Sequence, residues 1–265
     1  MTTVRSGKLM IVGGAETKNR SGQILSRFMR LTDREAPVVL FIDAASRSPG
    51  RMADEYRRLF LDFGAADVLY PRLARSSDAS NGRFLNAVER ADLVYLSGGD
   101  QSRLSRILGG SRGLALMLDR YRHDGLSVGG TSAGAAAMSS RMITGGDGGL
   151  WPKKGLVRIA DGLGFIPRVI IDQHFAQRWR LGRLVEAIAI HSRDGVVGIG
   201  VDEDTAVLLR NDRSAEIIGS GGVALIRCSY RAYSAWDRAS SGDLISVPLK
   251  TFRILISGEL VSLLN

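Results

Sequence analysis

Ser132 stands among some of the smallest side chains of the protein in Gly130-Thr131-Ser132-Ala133-Gly134. The pentapeptide has the G-x-S-x-G spacing of a nucleophile elbow, in which a serine sits on a sharp strand-to-helix turn. The requirement is steric. Small neighbours let the backbone pass close to itself, and strained dihedrals at the turn aim the hydroxyl away from the sheet. The next amide, that of Ala133, then faces the space where an oxyanion would form, at a helix N-terminus whose dipole favours negative charge. Two plainer readings stand beside this one: a βα turn with Ser132 as helix cap, and a phosphate cradle. The chain has no G-x-x-x-x-G-K-[ST] and no G-x-G-x-x-G on its first βα turn, so the usual phosphate signatures are missing.

A nucleophilic serine needs a base and a group that orients the base. Of the three histidines, His123 lies in the charged helix terminus RYRHDG and His191 near the end of a helix, both as surface or capping residues. His174 follows the apolar run Val169–Ile171, so it stands at a strand end like Ser132. The orienting acid is open. GIGVDEDT offers Asp202, Glu203 and Asp204, and Asp147 follows the serine in a loop. If the strand continues through Asp202 and Glu203 they point to opposite faces, and only one reaches His174. A solvated acidic turn is the plainer account. Arg178, Arg180 and Arg183 crowd beside the base. Their guanidinium forks match carboxylates in two-point geometry, whereas the plainer account is an exposed basic helix.

These residues need a frame that brings strand ends together. Strand-like segments such as KLMIVGGAE, APVVLFIDAAS and DLVYLSGGDQ alternate with segments of helical spacing, for example Ile24, Leu25, Phe28 and Leu31. Continuous apolar strands between helices imply a mostly parallel sheet covered on both faces, an α/β fold. Ligands then bind beyond the carboxyl ends of the strands. Four polar clusters fall there: Gly13–Glu16, Asp43–Ser46, Gly98–Gln101 and Gly130–Ser132. The second half is more mixed. SAEIIGSGGVALIRC reads as a hairpin around Gly219–Gly222, and the closing segments read as an antiparallel edge. ARSSDASNG and TGGDGGLWPKKG read as mobile surface loops. With no repeat, low-complexity tract or long linker, one domain over 1–265 is the simplest organisation.

Composition narrows the function classes. No apolar run approaches the ~18–20 residues of a membrane span, and LMIV is shorter than the roughly 7–15 residues of a signal-peptide core. A cytoplasmic protein is expected. Cys228 is the only cysteine, which excludes an intrachain disulfide, and the histidines form no zinc-type grouping. No metal or other cofactor is expected. The net charge of +9 suits anionic substrates or a polyanion. The arginines are scattered rather than in a tract, and no helix-turn-helix or RNA-binding aromatic pattern appears, so specific nucleic-acid binding is not expected as the main function.

Taken in order, LMIVGGAE, FIDAASRSPG, YLSGGDQSRL, GGTSAGAAAMSS, VIIDQHFAQRWRLGRL and GIGVDEDTA resemble the cyanophycinase family, the S51 serine exopeptidases. The likeness runs from about residue 8 to 208. It implies a flavodoxin-like α/β fold related to class I glutamine amidotransferases, assembled as a homodimer. It implies Ser132 as nucleophile, His174 as base, and Glu203 as charge-relay acid with Asp202 in reserve. Gln101, Asp172, Gln173, Arg178, Arg180 and Arg183 correspond to the family's substrate-pocket residues. The oxyanion hole would use the Ala133 amide and that of Gly99 in the Gly98–Gly99 turn. The implied substrate is cyanophycin, a poly-aspartate backbone carrying arginine on each side-chain carboxyl, from which β-Asp-Arg dipeptides are released. Two rival functions remain at this stage: an S51 aspartyl dipeptidase acting on aspartyl peptides, and a non-catalytic basic binding protein in which Ser132 only caps a helix.

Overall fold

The computed structural model describes residues 6–210 and 214–263. Its first half alternates strand and helix: β1 (Leu9–Val12), α1 (Gln23–Met29), β2 (Val38–Ile42), α2 (Arg51–Asp62), β3 (Asp67–Leu69), α3 (Gly82–Arg90), β4 (Leu93–Leu96), α4 (Gln101–Leu108), α5 (Arg112–His123) and β5 (Ser127–Thr131). The second half holds α6 (Ala133–Ala137), β6 (Arg141–Gly145), β7 (Arg158–Asp161), β8 (Val169–Gln173), α7 (Leu181–Ile190), β9 (Val197–Val201), β10 (Thr205–Leu209), β11 (Ser214–Gly219), β12 (Val223–Cys228), α8 (Ala232–Arg238), β13 (Leu249–Leu255) and β14 (Leu260–Ser262).

An eight-stranded sheet runs β14-β11-β10-β1-β5-β4-β2-β3. The strands from β1 to β3 in this order pair in parallel, and β10, β11 and β14 extend the sheet antiparallel beyond β1. The alternation of side chains along each strand divides the core. Leu9, Ile11, Leu40 and Ile42 face one side, against helices α3 to α6. Met10, Val12, Val39 and Phe41 face the other, against Ile24 and Phe28 of α1 and Tyr56 and Phe60 of α2. Both faces are dry, so the strands are apolar throughout, as the sequence implied. A second sheet, β13-β12-β9-β8, packs Ile170, Ala224 and Ile226 against Leu184 and Ile188 of α7.

Three loop expectations change. Gly219–Gly222 does not turn a hairpin: β11 belongs to the large sheet and β12 to the small one. β11 pairs instead with β10, from Leu209 opposite Ala215 to Thr205 opposite Gly219. Gly219, at φ 115°, lies so close to the Asp204 carbonyl that a Cβ there would stand 2.1 Å from its oxygen, which redirects the chain between sheets. The segment ARSSDASNG is ordered: a 3-10 turn over Ser76–Ser80 has the Asp78 carboxylate accepting from the amides of Ala74 and Arg75, with Ala79 buried. The loop after β6 is likewise tied down, because Glu186 on α7 accepts from the amides of Gly155 and Val157. Among the described residues no helix is long and apolar enough to cross a membrane.

Candidate active site

Ser132 stands at the carboxyl end of β5, between the ends of β1 and β4. Its backbone is left-handed at φ 52° and ψ −113°, and α6 begins at the next residue. Non-glycine residues at positive φ are costly and persist where surrounding contacts hold them. Those contacts are visible. The Ser132 amide donates to the Val12 carbonyl, and a Cβ on Gly134 would stand 2.3 Å from the Leu96 carbonyl oxygen. A Cβ on Gly130 would meet the Gly134 backbone at 2.7 Å. Both glycines of G-x-S-x-G are therefore required for close packing of β4, β5 and α6. The side chain of Ser132 makes no cap bond to the helix, which removes the reading of Ser132 as a simple N-cap.

Ser132 Oγ lies 2.9 Å from His174 Nε2, and His174 Nδ1 lies 2.6 Å from Glu203 Oε1. A ring nitrogen facing a carboxylate carries the proton, so Nε2 is free to accept from the serine. His174 comes from the end of β8 and Glu203 from the turn between β9 and β10. His174 is itself left-handed at φ 48°, and its amide donates to the Gly13 carbonyl. Its ring lies against Gly14, where a Cβ would stand 2.4 Å from Cε1. Burial lowers the His174 pKa below its ordinary 6.5; the Glu203 hydrogen bond opposes this and the charge of Arg178 adds to it. The neutral form is favoured, the form that can accept a proton.

The choice among acids is decided by where β9 stops. The strand ends at Val201, so Asp202 and Glu203 do not alternate across a pleat. Asp202 turns to cap the amides of Ala176 and Gly222, Asp204 accepts from the Thr17 amide, and Glu203 alone of the three reaches the imidazole. Asp147 is exposed in its loop.

The other expected site residues divide. Gln173 joins the serine, its Oε1 lying 3.3 Å from Ser132 Oγ and accepting from Arg180 at 3.0 Å. Gln101 opens α4, its Nε2 donating to the Ile143 carbonyl at 2.6 Å. The Gly98–Gly99 turn runs past the serine: a Cβ on Gly98 would lie 3.4 Å from that of Ser132, and Gly99 is pressed against the Ala45 carbonyl at φ 139°. Ala133 follows Ser132 as the first residue of α6. Arg178 is exposed beside His174.

Asp172, Arg180 and Arg183 depart from the expected outward carboxylate grip and from the exposed basic helix alike. Asp172 is 1% exposed, and Arg183 clamps it in two-point geometry, Nε to Oδ2 and Nη2 to Oδ1, both at 2.6 Å. Arg180 adds a third contact at 3.2 Å. The guanidinium groups hold an internal carboxylate, since two buried cations need an anion on the same side of the dry interior. Burial pulls the Arg180 pKa down to about 10, against the opposing charge of Asp172, and it stays a cation at neutral pH.

One carboxylate here exceeded what the sequence suggested. Glu16, in the cluster after β1, is buried beneath the elbow and accepts from Thr131 Oγ1 at 2.6 Å. The GGAE turn marked its position, but its hydroxyl partners come from α2, β4 and β5 and leave no local pattern. Among the described residues no group of three or more His, Cys, Asp or Glu side chains is arranged to hold a metal ion.

Comparison with known proteins adds a second line. The model of peptidase family S51 matches residues 9–217. A cyanophycinase of Geminocystis herdmanii is 33% identical over 251 residues, covering 95% of this chain and 92% of that protein. A cyanophycinase of Trichormus variabilis is 36% identical over 251 residues, 95% of this chain and 84% of its own. The solved structure of a peptidase from an acI-B1 Actinobacterium superposes with a TM-score of 0.69 over 97% of each chain at 20% identity, a likeness of fold.

Proposed function

The chain belongs to peptidase family S51, and from that premise we propose that it is a serine exopeptidase that releases β-Asp-Arg dipeptides from cyanophycin. The observation that carries the reading is the continuous line from Ser132 through His174 to Glu203, at 2.9 Å and 2.6 Å, starting from a left-handed serine on a strand-to-helix turn. The relatives of 33% and 36% identity over 95% of the chain, both cyanophycinases, supply the substrate.

The reaction follows from that line. His174 Nε2 takes the Ser132 proton as Oγ bonds to the aspartyl carbonyl carbon. Glu203 keeps the imidazole in the Nδ1–H form and stabilises the imidazolium. The amides of Ala133 and Gly99 hold the developing oxyanion. His174 then gives its proton to the leaving amine as the C–N bond breaks. Water, deprotonated by the same nitrogen, hydrolyses the ester and restores the serine. Arg178, exposed beside the imidazole, is the cation free to meet a substrate carboxylate, while Gln101 and Gln173 line the pocket. Arg180, Arg183 and Asp172 support that pocket from behind.

The same proposal includes a cytoplasmic homodimer. Edge strand β13 supports the second copy, for it exposes Leu249, Phe252 and Ile254. The deciding experiment is dipeptide release from purified cyanophycin by wild-type and Ser132→Ala protein, with Asp-X dipeptides as a second substrate. Release by wild type alone supports the reading. Release by Ser132→Ala, or turnover of Asp-X dipeptides only, sinks it.

A further inference from the structure

The end of β1 and the turn that follows it bond to the backbone beside every member of the Ser132–His174–Glu203 line. Val12 accepts from the Ser132 amide, Gly13 from the His174 amide, and Gly14 from the amide of Asp204, next to Glu203. The Thr17 amide donates back to Asp204 Oδ1 at 2.8 Å. Within this turn stands Glu16, a carboxylate 4% exposed. Its oxygens accept from three hydroxyls: Tyr56 at 2.5 Å and Tyr95 at 2.9 Å on Oε1, and Thr131 at 2.6 Å on Oε2. The two tyrosine rings are fixed in an aromatic wall, Tyr56 stacked on Phe41 at 4.9 Å and Tyr95 edge-on to Phe28 at 5.0 Å. Burial, and next the charge of Glu16, raise both tyrosine pKa values well above 10, so both hydroxyls remain donors.

A buried carboxylate is expensive to desolvate, and an apolar side chain would fill this wall at lower cost. What the carboxylate does that an apolar group cannot is hold Thr131. That residue precedes Ser132, whose left-handed backbone relaxes unless its neighbours restrain it. We propose that Glu16 is a positioning residue of the reaction: through the Thr131 hydroxyl it locks the elbow, and so keeps Ser132 Oγ within reach of His174 Nε2. The proposal rests on Ser132 being the nucleophile. Glu16 touches no reacting atom. It acts by joining the turn that carries the His174 and Glu203 contacts to the strand that carries the serine.

The test compares Glu16→Gln, Thr131→Val, their combination and Thr131→Ser, using kcat and KM on purified cyanophycin. A second readout is the rate at which a fluorophosphonate labels Ser132, which needs no substrate. Thr131→Val preserves shape and carries the test if Glu16→Gln fails to fold. The expected result is a fall in kcat of about 10- to 100-fold for Glu16→Gln and for Thr131→Val, the scale of a small misplacement of a reacting group. KM should change less than about threefold, since the lost contact lies outside the substrate site. Labelling should slow in parallel, Thr131→Ser should recover most of the loss seen in Thr131→Val, and the double variant should be no worse than the poorer single one. Wild-type kcat and labelling in folded Thr131→Val, or single-variant losses that multiply in the combination, would overturn the proposal. If wild-type protein is labelled but leaves cyanophycin intact, the substrate reading fails, and the labelling rates still decide the role of Glu16.

Discussion

Replacing Asp172 by asparagine should destabilise the fold far more than a surface charge change. Asp172 is 1% exposed, and the side chains of its partners Arg183 and Arg180 are 5% and 10% exposed. In Asp172→Asn the two guanidinium groups stay buried without their anion, while an amide nitrogen faces Nε or Nη2 of Arg183 where a carboxylate oxygen stood. Removing one partner of a buried ion pair costs about 3–5 kcal/mol. At roughly 2–4 °C per kcal/mol for a chain of this size class, the low end alone lowers the melting temperature by about 6–12 °C. Thermal unfolding followed by far-UV circular dichroism measures it directly. Arg178→Ala is the control: an exposed arginine should shift stability by about 0.5 kcal/mol or less. An Asp172→Asn protein melting within about 2 °C of wild type would refute the reasoning. The carboxylate would then not be the internal anchor of the two arginines, and an outward role toward substrate would regain ground.

Glu203→Gln should keep the fold and lower kcat by about 10³- to 10⁴-fold, because an amide does not enforce the Nδ1–H tautomer; steady-state kinetics and a circular dichroism spectrum check both halves. The acid limb of kcat/KM should fall below pH 6.5, since burial lowers the His174 pKa from that value, and Arg178→Ala should move the limb to higher pH by removing a cation that lowers it. The same shift has a stability sign. Between the folded and unfolded pKa values the unfolded chain binds the proton and the folded one does not, so His174 costs stability as pH falls through 6.5, which melts across a pH series would record. Placing lysine at both Phe252 and Ile254 should leave the protein monomeric in sedimentation velocity where the wild type runs as the proposed homodimer, because the two exposed apolar groups on edge strand β13 would become charged.

The elbow was readable before any coordinate because everything it needs is local. A strand, two glycines, a serine and small helical residues follow one another within a dozen positions, and close packing explains each. The alternation of buried strands and amphipathic helices carried the α/β architecture for the same reason. Separation in sequence is where reading weakened. The hairpin assigned around Gly219–Gly222 failed because a glycine turn looks alike whether it reverses a chain or passes it to another sheet. The acid stayed open among the acids of GIGVDEDT and Asp147 because the answer depends on where β9 ends and on which amides lie nearby.

Residue types and local spacing thus determined the sheet, the serine on its turn and the strand-end histidine, since short-range sterics and apolar periodicity act on neighbours in the chain. Tertiary structure alone decided that Glu203 meets the imidazole, that Arg180 and Arg183 close inward on Asp172, and that Glu16 lies under Thr131. A charged side chain seeks its partner through space, and burial decides whether it must find one inside the protein. An arginine near a histidine reads the same in sequence whether it awaits a substrate or holds an aspartate eleven residues back.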